Sequence, residues 1–263
     1  MIKLGITGAG GRMGKRIAAL AIESGRFDIV AATEAKGHPA LGKDVGEQAG
    51  VGTFGLKITR DFEDDPEVVI DFSLPEGTME IMPLCREKGI KMIIGTTGLT
   101  ESQQAELADT AGDIAIVHAG NYSMGINTIL KAVAMVAETL GESYDIEVSE
   151  THHRFKQDAP SGTAIMLAKA ACEALGKEYG DVACLGRGGR QPRKEGEIGI
   201  HALRVGDTVG EHTVFFGNLG ETVTIGHSAH TRDTFVRGAL RAAGWIMDQK
   251  PGLYDMQDVL GLK

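Results

Sequence analysis

Basic charge, cysteine and long apolar runs are all in short supply in this 263-residue chain. The 27 lysines and arginines are outnumbered by 36 aspartates and glutamates, for a formal net charge of −9. Neither sign forms a block, which argues against a nucleic acid or an anionic membrane surface as the main partner. The three cysteines, Cys85, Cys172 and Cys184, lie far apart with no C-x-x-C pair. Reduced thiols in a cytoplasm are expected rather than a disulfide framework. No stretch approaches the roughly 18 apolar residues that suggest a membrane span. The apolar run in MIKLGITGAGG is too short for a signal peptide. Together these absences predict a soluble cytoplasmic protein, and repeats and low-complexity tracts are missing as well.

What is present is ordinary globular material, 42% hydrophobic and 24% charged, long enough to bury a core in one large domain or two modest ones. Through the first 120 residues short apolar runs alternate with helix-period segments, the pattern of βαβ units. Ile2 to Thr7 reads as a strand and Arg12 to Ser24 as a helix, with Met13, Ile17, Leu20 and Ala21 on one face and Gly25 as C-cap. Further strands are predicted at Ile29–Glu34, Val68–Ser73, Met92–Gly95 and Ala115–Val117, and a capping box at Thr100–Gln103. Lys36–Gly55, glycine-rich and weakly periodic, reads as a long loop. From about Ser123 the texture changes: a helix over Met124–Leu140, alternation at Ile146 and Val148, a helix over Ser161–Leu175, strand-like residues 198–226, and a last helix over Thr234–Met247.

Two features carry chemistry. Gly8, Ala9, Gly10, Gly11, Arg12, Met13 and Gly14 follow a strand and open a helix as G-x-x-G-x-x-G. Small residues there let backbone N–H groups approach a pyrophosphate at the positive end of the helix. Glu34 stands 20 positions beyond Gly14, where a dinucleotide fold places the carboxylate that binds the adenosine ribose. Gly95-Thr96-Thr97 and Ala119-Gly120-Asn121-Tyr122 follow successive strands, at the edge where open α/β sheets bind ligands.

The second feature is the segment 147–164. His152, His153, Arg154 and Lys156 place four cationic or proton-bearing groups within five residues of an acidic chain, which suits a dianionic ligand. In Pro160-Ser161-Gly162-Thr163, Pro160 fixes the entry and Ser161 caps an apolar helix whose free first-turn N–H groups form a carboxylate cradle. H-E-x-x-H spacing is absent and no cysteine joins the histidines, so no metal is expected. His227 and His230 read as structural, and Glu150 either orients a neighbouring histidine or sits in solvent.

The segment E-V-x-E-x-H-x-x-x-K-x-D-x-P-S-G-T-A resembles the signature of the dihydrodipicolinate reductases (4-hydroxy-tetrahydrodipicolinate reductases). The likeness extends to Gly8–Gly14, Asp71-Phe72-Ser73, Gly95-Thr96-Thr97, Gly210-Glu211-His212-Thr213 and Asp255–Leu260, covering essentially the whole chain. The resemblance implies an α/β protein: a Rossmann-type parallel-sheet dinucleotide-binding domain, 1–123 and 234–263, and an α+β mixed-sheet substrate and oligomerisation domain, 124–233, forming a homotetramer. It implies His152 as acid/base and Lys156 as proton donor. His153, Ser161, Gly162 and Thr163 would bind the dicarboxylate substrate, and Gly8–Met13, Glu34, Gly95–Thr97 and Ala119–Tyr122 the cofactor. Hydride would pass from nicotinamide to one end of a conjugated ring, with protonation of the adjacent carbon, and closure of the domains on binding is expected.

One departure bears on the cofactor. Many family members carry an arginine after the acidic residue, paired with the 2′-phosphate of NADP. Here Ala35 and then Lys36 follow Glu34, with Lys36, Arg12 and Lys15 as the cations that could offset the acid. NADH is expected to be preferred and NADPH accepted. The competing readings are a different two-domain amino-acid-pathway dehydrogenase and a catalytically silent NAD(H) sensor; a sensor needs neither His152 nor Lys156.

Overall fold

The unbroken apolar runs of the N-terminal half demand a sheet covered on both faces, and the computed structural model, which describes residues 1–62 and 64–263, builds one. In order come β1 (Ile2–Thr7), α1 (Arg12–Ser24), β2 (Phe27–Thr33), α2 (Val45–Ala49), β3 (Val68–Asp71), α3 (Pro75–Lys88), β4 (Lys91–Ile94), α4 (Glu101–Thr110) and β5 (Ala115–His118). The middle of the chain supplies α5 (Met124–Leu140), β6 (Asp145–His152), α6 (Gly162–Ala174), α7 (Tyr179–Val182), β7 (Ala183–Leu185), β8 (Ile198–Arg204), β9 (Gly210–Asn218) and β10 (Glu221–Ala229). Last come α8 (Asp233–Trp245), β11 (Gly252–Tyr254) and α9 (Met256–Leu260). One unit comprises Met1–Met124 with Asp233–Lys263, the other Gly125–Arg232.

The first unit holds six parallel strands in the order β11-β5-β4-β3-β1-β2. Alternate residues of β3, β4 and β5 feed two cores. Ile70 and Ile93 face a cluster with Ile17 and Leu20 of α1, Val236 and Leu240 of α8, and Met256. Val69, Met92 and Ile94 face Met82, Cys85 and Leu107 of α3 and α4. From β1 the chain steps outward to β2 and then back across to β3, so the order reverses between β1 and β3, where doubly wound sheets open a crevice at the strands' carboxyl ends. Arg16 and Asp233, bonded in two places at 2.9 and 2.7 Å, tie α8 to α1.

Two departures from the sequence expectation have local causes. Within Lys36–Gly55, α2 forms because Asp44 caps it, accepting from Gly46 and Glu47 N–H; the same carboxylate also takes Phe54 and Gly55 N–H. One side chain thus organises a stretch with no periodicity. At the C-terminus, Gly252–Tyr254 adds a strand beside β5, too short for its pattern to be read.

The second unit is a mixed sheet, β10-β9-β6-β8-β7, antiparallel on one side of β6 and parallel on the other. Its inward residues Ile146, Val148, Ile200, Val214 and Phe216 pack against Val133 and Ala137 of α5 and Leu167, Ala168 and Ala171 of α6. Among the described residues no helix is long and apolar enough to cross a membrane.

Candidate active site

At the carboxyl edge of the first sheet the glycine turn is shaped by contact. Gly8 sits at φ 68, a left-handed conformation that costs glycine little. A Cβ on Gly14 would collide with the Gly8 carbonyl oxygen, so helix and turn approach closely only because that atom is missing. Gly11 is the N-cap of α1, and no side chain caps it. The first-turn N–H groups are therefore available to an anion. These features fit the pyrophosphate of a dinucleotide.

A pocket of about 460 Å³ opens beside this turn. Thr7, Gly8, Gly11, Thr33, Glu34 and Ala35 line it, with His38, Arg60, Phe62, Leu74, Ile81 and Leu84 from loops and α3. Its size and apolar lining suit the adenosine end of a dinucleotide. Glu34 is held at its rim: its carboxylate accepts from Gly10 N–H and Ala35 N–H, each at 2.9 Å. Arg60 pairs with Glu80, also on the pocket wall. Sequence reasoning missed His38, Arg60 and the apolar wall, which reach the pocket from segments without a shared motif.

The remaining edge loops are braced from beneath. Asp71, fully buried, accepts from Thr7 and Thr96 hydroxyls and Ser73 N–H at 2.5, 3.3 and 3.0 Å, and from the Thr78 hydroxyl. The ends of β1 and β3, the loop after β4 and α3 are thereby joined at one carboxylate. The Phe72 ring fills the space a Cβ on Gly95 would occupy. Tyr122 points into the core, its hydroxyl 2.8 Å from Val117 O and 3.0 Å from Ile94 O; burial pushes its phenol well above the ordinary range. Of the Ala119–Tyr122 loop, this ring is a brace, and Gly95, Thr96, Thr97 and that loop lie outside the pocket lining.

In the second unit, strand pairing assembles what the segment 147–164 contains. The register sets His152 opposite Arg204 on β8 and Glu150 opposite His212 on β9. The Glu150 side chain is 0% exposed. Its Oε2 lies 2.5 Å from His152 Nδ1 and takes Arg204 Nη1 at 2.8 Å; its Oε1 takes Arg204 Nη2 at 2.8 Å and Ser161 N–H at 3.0 Å. Of the two readings left open for Glu150, it is the orienting one that the geometry bears out. Burial pushes its carboxyl up, but the donors from Arg204, His152 and Ser161 outweigh that and hold it below its ordinary value. For His152 burial wins and its pKa falls, although Glu150 opposes the shift.

Lys156 Nζ donates to Asp158 at 2.8 Å, and its side chain is 20% exposed. Ser161 caps α6, accepting from Ala164 N–H at 3.1 Å, and its hydroxyl lies 3.0 Å from His212 Nε2. A Cβ on Gly162 would meet nothing within 4 Å, so the helix start is open to a ligand. His153 Nδ1 is buried without a hydrogen-bond partner among the described residues. The structure therefore joins His152 and Ser161 through Glu150, with Lys156 on the connecting loop. Arg204 and His212 were missed as site residues. His212 lies in the Gly210–Thr213 motif, but only the register brings either residue to Glu150.

The family model described as dihydrodipicolinate reductase, N-terminus, matches residues 2–122, and that for the C-terminus matches residues 125–260. The 4-hydroxy-tetrahydrodipicolinate reductase of Syntrophus aciditrophicus (strain SB) is 46% identical, and that of Hahella chejuensis (strain KCTC 2396) 45%, each over 100% of both chains. Among solved structures, a dipicolinate-bound dihydrodipicolinate reductase from Paenisporosarcina sp. TG-14 shares the fold at TM-score 0.74 and 22% identity, covering 98% of each chain. GenD2 from gentamicin A biosynthesis, in complex with NAD, shares it at TM-score 0.63 and 15% identity, covering 99% of this chain and 90% of that one.

Proposed function

The chain belongs to the dihydrodipicolinate reductase family, and from that membership we propose how its own residues carry the reaction. It is an NAD(P)H-dependent reductase that converts 4-hydroxy-tetrahydrodipicolinate to tetrahydrodipicolinate on the diaminopimelate route to lysine. The balance is one hydride and one proton gained and one water lost. The nicotinamide supplies the hydride when bound.

The protein supplies position, charge and the proton. The Gly8–Met13 turn and the uncapped start of α1 take the pyrophosphate, and Glu34 takes the adenosine ribose. His153 and the first turn of α6, at Gly162 and Thr163, take the substrate carboxylates. Ser161, whose N–H goes to Glu150 and whose hydroxyl caps Ala164 N–H, holds that turn in place instead of meeting the ligand as the sequence suggested. Lys156 protonates the carbon beside the one that accepts hydride, and His152 serves as acid/base; help of this kind typically contributes about 10²–10⁴-fold. The observation that carries this division is the second unit's cluster: a proton-bearing histidine, a lysine and an open, capped helix start all lie within residues 152–163.

Glu34 also argues for NADH over NADPH. Two backbone N–H groups hold its carboxylate at the pocket rim, where it repels a 2′-phosphate, and Ala35 offers no cation in return. The family likeness further supports a homotetramer formed through the second unit, in the cytoplasm.

The test is nicotinamide oxidation, followed by absorbance, with substrate generated from pyruvate and aspartate semialdehyde. Turnover is expected, with kcat largely lost in Lys156→Ala. Folded protein inactive with both cofactors would overturn the activity. A ten-fold kcat/KM preference for NADPH, about 1.4 kcal/mol, would overturn the NADH assignment alone.

A further inference from the structure

We propose that Glu150 is a positioning residue that sets both halves of the second unit's site, holding His152 with Nε2 turned to the substrate and pinning the helix start that receives the substrate carboxylate. The inference rests on the function proposed above. An ionised carboxylate offers about four acceptor sites and no donor. Here four donors take them, from three separate segments: His152 on β6, Arg204 twice on β8, and Ser161 at the start of α6. A buried charge persists only when matched in this way.

The consequence for His152 is a fixed tautomer. Because the Glu150 oxygen only accepts, Nδ1 carries a proton in both the neutral and the charged ring, and Nε2 is the atom that gains or loses one. The ring is otherwise ringed by basic groups: Arg204 on β8, His212 on β9 with ring centroids 5.1 Å apart, and Lys156 on the following loop. Among the described residues, Glu150 is the acid bonded directly to it. Gly210 faces Nε2, and a Cβ there would stand 3.1 Å from it, so a glycine keeps the working nitrogen clear.

The consequence for α6 runs through Ser161. Its N–H is held by Glu150 while its hydroxyl caps Ala164 N–H and meets His212 Nε2. The cap is thus anchored on both sides, by a carboxylate and a buried imidazole, and the first turn is presented at a fixed place. One carboxylate thereby couples the proton-handling ring to the anion-binding helix.

Two measurements test this on the full-length protein. In the wild type, ¹⁵N NMR of the His152 ring should show neutral imidazole protonated at Nδ1; a neutral ring protonated at Nε2 would overturn the proposal, whether or not any variant folds. In Glu150→Gln, the carboxylate charge is lost while the cations Arg204 and Lys156 remain beside His152. The His152 ionisation should move to lower pH by about one unit, kcat should fall at least about tenfold, and binding of pyridine-2,6-dicarboxylate should weaken as the cap loosens. Folded Glu150→Gln with an unchanged pH profile and unchanged dicarboxylate affinity would also overturn it. If the wild type neither turns over nor binds pyridine-2,6-dicarboxylate, the function reading fails, while the tautomer measurement still judges the role of Glu150.

Discussion

His212 is 4% exposed, and burial, reinforced by the charge of His152, pushes its imidazole down to about 4. An unfolded histidine titrates near 6.5. Between those values the unfolded chain binds a proton that the folded protein refuses, so stability rises with pH through this window. The contribution is complete above about pH 6.5 and is lost as pH falls toward 4, on the order of 3 kcal/mol. His152 and His227, whose pKa values burial also lowers, act in the same direction. His212→Asn should flatten urea-unfolding stability between pH 6.5 and 4 relative to the wild type; equal slopes in the two proteins would refute this account. The residue scale also shows what a motif conceals. His152, Lys156 and Ser161 were legible because their chemistry is concentrated in one segment. Arg204 was not, since it acts on Glu150, 54 positions away, and the bracing role of Asp71 was not, since Thr7 and Thr96 reach it from 64 and 25 positions away.

At the scale of elements, local chemistry was a sound guide where the signal exceeded one turn or two strand repeats. β1, α1 and α5 span the residues their periodicity indicates. The capping box before α4 forms as its spacing suggests: Thr100 Oγ1 accepts Gln103 N–H, and Gln103 Oε1 accepts Thr100 N–H at 2.9 Å. Thr100→Ala should cost about 1 kcal/mol in chemical denaturation, with the cofactor KM unchanged; a loss within error of zero would mean solvent satisfies those groups equally well. β7 and β11, three residues each, and the five-residue α2 and α9 fall below any period. They form because neighbours or caps complete them. Asp255 caps α9, and β5 offers the edge that β11 joins.

At the scale of the whole molecule, the first unit is assembled from both ends of the chain. Its C-terminal part covers the β5 edge and places Met256 and Val259, 0% and 4% exposed, in the core. Ending the chain after Lys250 would strip that edge, a site for aggregation, and remove two core side chains worth about 1.5–3 kcal/mol each when fully buried. The melting temperature should fall by on the order of 10 °C, with light scattering on heating; an unchanged melt would show that β11 and α9 are dispensable. By itself the sequence determined the alternation of strand and helix, the glycine turn with Glu34, and the family signature at 147–164, because each is written in neighbouring residues. Only the tertiary structure decided that Glu150 lies buried among His152, Arg204 and Ser161, that Asp71 joins four segments, and that loops after β2 and β3 wall the pocket beside the glycine turn. Strand register and chain crossing bring those groups together, and neither leaves a local trace in the order of residues.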